Sequence, residues 1–207
     1  MSTLYSYYAY AGPTPPDAPE VMARVEAIMR AQGLIEGEAV PSASPGERDG
    51  PAFRPGPGVD AYYPDRPSIR GSLHYPMIFH VGPVLSMGQL HDPGDWRCPH
   101  CGWLPCDDAA RDRDEEQADA MHSLIGNAAY QANFAPDATV CPNCDRAVAV
   151  NDWCAPYGPD GDHGFLVAGC GIEAEGWTRS PEMVGAIAGI LKEAAPGRRV
   201  VIDAYRL

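Results

Sequence analysis

Lysine is almost missing from this chain of 207 residues: Lys192 stands alone beside fourteen arginines. The 15 basic residues face 28 acidic ones, for a net charge of −13. Phosphate contacts need a surplus of Lys and Arg, so the deficit argues against a general nucleic-acid or anionic-membrane binder. Long apolar runs are missing too. No window approaches the roughly 18 uninterrupted apolar residues of a membrane span. The first residues, Met1-Ser2-Thr3-Leu4-Tyr5-Ser6-Tyr7-Tyr8, hold no Lys or Arg ahead of an apolar stretch, and no secretory signal is read there. The phosphate loop G-x-x-x-x-G-K-[ST], the nucleophile elbow G-x-S-x-G and the zinc-protease motif H-E-x-x-H are all absent. Their absence removes the enzymes most readily recognised from short motifs.

With 45% hydrophobic and 21% charged residues, the chain reads as globular. Its length fits one domain with an insertion, or two small domains. The 22 Gly and 22 Pro predict long stretches of loop. Residues 3–11 (TLYSYYAYA) read as a strand by propensity. Tyr5 and Tyr7 share one face, and Leu4, Tyr8 and Tyr10 the other, so both faces are expected to be partly covered. Asp17 is a candidate N-cap, and Val21, Val25, Ile28 and Met29 recur at helical spacing. Gly33 supplies a stop, which predicts a helix over 18–32. Residues 36–70 hold seven Pro and five Gly and read as an irregular insertion. Residues 72–85 read as a strand interrupted by Pro76, which points to an edge or a bulge. Residues 164–175 read as another strand. Ser180-Pro181-Glu182 is a strong helix start, followed by a stripe of Val184, Ile187, Ala188 and Leu191. Pro196-Gly197 ends that helix, and Arg198 to Leu207 reads as a closing strand. The order β-α-β-β-α-β predicts an α+β fold with a ferredoxin-like core. Residues 1–90 and 151–207 would form its two parts, with 91–150 inserted between them.

Seven cysteines is an odd number, and four sit in two short repeats: Cys98-Pro99-His100-Cys101 and Cys141-Pro142-Asn143-Cys144. A C-x-x-C turn aims two thiolates at one ion, and Pro at the second position presets φ for the turn. Two such turns supply the tetrahedral four-sulfur shell of structural Zn²⁺. The pattern resembles the knuckles of zinc ribbons, the first with its trailing Gly102 most of all, and the paired knuckles of rubredoxins. The resemblance covers residues 98–144 only. It implies that Cys98, Cys101, Cys141 and Cys144 are the ligands, with iron as the rubredoxin alternative. The 39 residues between the pairs exceed ribbon spacing, and Ala109–Ala132 within them is read as a helix. Metal-type spacing favours a reducing, cytoplasmic location over a disulfide framework.

The three remaining cysteines are Cys106, Cys154 and Cys170. Cys170 lies in an apolar strand and reads as a small buried residue. Cys106 is a poorly spaced substitute ligand, and Cys154 with His163 a thiolate–imidazole pair lacking a local signature. His74, His80 and His91 are candidates for a second, catalytic metal site, as is the cluster Asp160-Gly161-Asp162-His163. Ordinary satisfied histidines and a turn are the simpler readings.

The acidity is uneven. Residues 91–150 hold four basic and eleven acidic residues, a net −7, against −3 on either side. Residues 107–119 alone carry seven carboxylates and two Arg. This reads as a solvated helix face, or as a docking surface for a basic protein with Asp112, Glu115 and Glu116 at its centre. The expected function is a zinc-binding, non-enzymatic protein acting through protein–protein contact, as an adaptor or a toxin-neutralising immunity-type protein. The alternative is a metal-dependent hydrolase built on His74, His80 and His163.

Overall fold

A tyrosine-rich strand, β1 (Leu4–Ala11), lies between the two strands that come last in the chain, β8 (Leu166–Glu175) and β9 (Val200–Arg206). The computed structural model describes residues 4–12, 14–40, 50–64, 66, 69–73, 76–82, 84–86, 98–103, 138–141, 143–149, 152, 166–177 and 180–206. β1 is antiparallel to both neighbours: Tyr8 stands opposite Ile172 on one side and Ile202 on the other. β4 (Met77–His80) continues the sheet beyond β8, followed by β3 (Ala52–Pro55) and β2 (Ile35–Val40). The path β2-β3-β4-β8-β1-β9 is antiparallel throughout, and the short β5 (Val84–Ser86) pairs with the other end of β8. Among the described residues, two helices, α1 (Ala18–Ala31) and α2 (Pro181–Ala194), complete a mixed α+β fold. Among the described residues, no helix is long and apolar enough to cross a membrane.

Strand alternation sorts the tyrosines. Tyr8 and Tyr10 point to the helix side and join Cys170, Ile172, Met77 and Phe79. Val21, Val25 and Met29 of α1 and Met183, Ile187 and Leu191 of α2 complete this core. Tyr7 and Ala9 point the other way and pack with Val84, Ala168 and Val201. Both faces of β1 are thus covered, as its poor alternation predicted. Cys170 is fully buried, and burial pushes its thiol up to about 11.

The helix termini show where local signals hold. Ser180 caps α2 by accepting the Met183 N–H at 3.0 Å, and its hydroxyl donates to the Tyr62 carbonyl at 2.7 Å. The face α2 buries is Met183, Ile187, Ile190, Leu191 and Ala194, rotated slightly from the predicted stripe. Its last carbonyls find side-chain donors: Tyr10 Oη donates to Leu191 O at 2.6 Å and Arg24 Nε to Ala194 O at 2.9 Å. α1 stops where expected, with Gly33 at φ 69° just beyond its C-cap. Asp17 does not cap α1 with its side chain. Its carboxylate accepts instead from Arg198 at 2.6 Å, and that bond holds it below the usual carboxylate range.

Two expectations are corrected. Residues 36–70 are not irregular throughout: they contain most of β2, all of β3, a 3₁₀ turn at Pro57–Tyr62 and the start of another at Ile69–Ser72. A four-residue strand such as β3 is too short to show a period, and Pro55 costs little at its end. Residues 72–85 are not one interrupted strand. Pro76 directly precedes β4, where a missing N–H is tolerated, and Gly82 lies in the turn between β4 and β5. β4 is internal, between β3 and β8, rather than at an edge.

Candidate metal centre

The two Cys-Pro-x-Cys segments fold into the same turn. In the first, the Cys98 N–H donates to Trp103 O and the Gly102 N–H to Cys98 O, both at 2.9 Å. In the second, the Cys141 N–H donates to Arg146 O and the Asp145 N–H to Cys141 O, again at 2.9 Å. Each turn requires a left-handed residue just after its second cysteine: Gly102 at φ 73° and Asp145 at φ 54°. The second turn closes a hairpin of β6 (Ala138–Val140) and β7 (Ala147–Ala149), in which Val140 stands opposite Ala147.

The turns bring four sulfurs together. One ligand atom from each of Cys98, Cys101, Cys141 and Cys144 lies within 4.8 Å of every other. Cys98 Sγ is 3.9 Å from Cys144 Sγ, and Cys101 Sγ is 3.8 Å from Cys141 Sγ. A regular tetrahedron of sulfurs around an ion at about 2.3 Å has edges of about 3.8 Å. The four side chains therefore fit a metal ion bound through sulfur alone. All four are free thiols.

The sulfurs differ in environment. Cys98 and Cys141 are 1% and 0% exposed, whereas Cys101 is exposed and Cys144 half-buried. Asn143 Nδ2 donates to Cys101 Sγ at 3.4 Å. This bond, joined by one from the Trp103 backbone N–H, pulls the Cys101 thiol down to about 6. Burial pushes Cys141 up to about 12. Donors to sulfur of this kind orient ligands and spread their charge. Sequence reasoning singled out neither Asn143 nor Trp103. The one signal for Asn143 was its place inside a C-P-x-C turn.

Of the histidine candidates, His80 is described. Its Nε2 meets Glu173 Oε2 at 3.1 Å, and the two side chains are 12% and 3% exposed. The pair joins β4 to β8, where Ile78 stands opposite Glu173 and His80 opposite Gly171. Sequence reasoning missed Glu173, which reads as an outward residue in an apolar strand. Among the described residues, the four cysteines are the only group of three or more His, Cys, Asp or Glu close enough to share a metal. His74, His91, His163, Cys106 and Cys154 lie outside the described residues. So do the expected helix at 109–132, the Asp160–His163 cluster, and Asp112, Glu115 and Glu116.

No protein-family model matches this chain, and no match is found among the curated proteins or the solved structures.

Proposed function

We propose that the chain is a zinc-binding protein whose Zn²⁺ is structural, held by Cys98, Cys101, Cys141 and Cys144. One observation carries this reading: two equivalent turns bring four thiols within 4.8 Å of one another, with the Cys98–Cys144 and Cys101–Cys141 pairs at the edge length of a zinc–sulfur tetrahedron. Four sulfurs close the shell and leave no position for water, so the metal would serve folding rather than catalysis. The purified protein is expected to be colourless and to carry one zinc per chain by elemental analysis. A red protein containing iron would overturn the choice of metal. Cys98→Ser and Cys144→Ser should each lose the metal and melt at lower temperature. Full zinc with unchanged melting in either variant would overturn the ligand assignment.

The knuckles fall, in chain order, between β5 and β8. We read residues 91–150 as a module inserted into a ferredoxin-like core. The order β9-β1-β8-β4 supports that reading, because a split β-α-β core places its fourth, first, third and second strands in this sequence. β2 and β3 would then extend the sheet beyond the core.

The proposed activity is capture of a basic protein partner, in an adaptor or immunity-type role in the cytoplasm. Its support is the charge of residues 107–119, which concentrate seven carboxylates in the most acidic third of the chain. Reversing Asp112, Glu115 and Glu116 to Lys should weaken partner capture at low salt and leave zinc content unchanged. Unaltered capture at low salt would remove this surface from consideration.

A further inference from the structure

The zinc cluster is not uniformly shielded. Two of its sulfurs, Cys98 and Cys141, are buried, while Cys101 is exposed. Across the two turns, Cys101 meets the buried Cys141, with the sulfurs 3.8 Å apart. Accessible thiolates poised beside a second cysteine are the ones that oxidise reversibly. We propose that Cys101 is an oxidation site for hydroperoxides, with Cys141 as its resolving cysteine, so that oxidation opens the metal cluster. The inference rests on the zinc reading.

The chemistry balances with the peroxide as the only co-reactant. The Cys101 thiolate attacks one peroxide oxygen and the O–O bond breaks. Cys101 becomes a sulfenic acid, and the other oxygen leaves as hydroxide or alkoxide. The Cys141 thiolate then attacks the Cys101 sulfur. The S–S bond forms, the S–O bond breaks and a hydroxide departs. The two sulfurs lose two electrons and the peroxide gains them. Cys98 and Cys144 cannot complete a four-sulfur shell alone, so the disulfide releases the ion. These two sulfurs, 3.9 Å apart, can form a second disulfide with a second peroxide.

Burial sets the order of events. A peroxide arriving from solvent meets Cys101 before it meets Cys98 or Cys141. Asn143 and the Trp103 backbone hold the exposed sulfur in place facing Cys141.

The test uses the full-length protein as purified, with its zinc measured first. Hydrogen peroxide is added in steps. Released zinc is followed with a chromogenic chelator, and disulfides are mapped by peptide mass spectrometry. One zinc is expected per first disulfide, that disulfide joining Cys101 to Cys141. A sulfenic-acid trap should label Cys101 first. Two results would overturn the inference and leave the zinc reading standing: zinc retained at full oxidation of Cys101, or a first disulfide joining Cys98 to Cys101. A protein that neither carries nor takes up zinc would overturn both.

Discussion

Gly102 and Asp145 occupy corresponding positions in the two turns, and both take positive φ. For an L-residue the left-handed region costs roughly 1–2 kcal/mol, and Asp and Asn bear it better than most. Nothing lies within 4 Å of a Cβ built on Gly102, so its constraint is conformational and not steric. Gly102→Ala is therefore expected to weaken zinc binding about tenfold, since each 1.4 kcal/mol is about a factor of ten. A competition titration against a chelator of known affinity reads the change. Unchanged affinity would show that the first turn relaxes to another shape once the ion is bound. This glycine was visible in the sequence as part of the knuckle pattern. Asp145 was not, because aspartate after a cysteine pair carries no conformational signal by itself.

At the scale of elements, the two helices were the most legible parts of the chain. Their apolar spacing, the Ser180-Pro181-Glu182 start and the Gly33 stop each state a local preference that packing did not override. Ser180→Ala should cost about 1 kcal/mol, because it removes an N-cap. Loss of the bond to Tyr62 adds to that cost. Gly189→Ala acts in the opposite sense. Gly189 is exposed, mid-helix, with nothing within 4 Å of an added Cβ, so alanine there should stabilise by roughly 0.5–1 kcal/mol. Denaturant unfolding of both variants checks the signs. β2 and β3 were illegible for a physical reason. Their stability comes from pairing with each other and with β4, and a four-residue strand bounded by Pro and Gly has no periodicity to read. The His80–Glu173 contact was hidden likewise, because it depends on the register of β4 against β8, two strands far apart in sequence.

For the molecule as a whole, three buried acids share one direction of shift. Burial raises Tyr10, Tyr63 and Cys170 above their ordinary values, Cys170 from 9.0 to about 11. In each case the folded state holds its proton more tightly than the unfolded state. The stability Cys170 carries is complete below pH 9 and declines as pH rises through 9 to 11, and that of the two tyrosines begins to decline near pH 10, because the unfolded chain releases protons that the folded chain keeps. Urea unfolding at pH 8 and pH 10 should show a lower midpoint at the higher pH. Cys170→Ala should flatten the part of that decline between the cysteine's two values. An equal slope in the variant would place the effect elsewhere. The α+β class followed from the order of elements, yet the sheet order required long-range pairing that no local pattern carries. The four-sulfur cluster was legible for the opposite reason: its chemistry is written twice, in adjacent residues.

The placement of β1 has a consequence for how the protein is made. Its two neighbours, β8 and β9, are synthesised after every other described strand. Until they emerge from the ribosome, Tyr7, Tyr8 and Tyr10 have neither a backbone partner nor the two-sided cover that buries them in the finished chain. The centre of the sheet therefore cannot close during synthesis. A nascent chain stalled before residue 166 should remain protease-sensitive along β1, and protection should arrive late, as a single event, once β8 and β9 are both released.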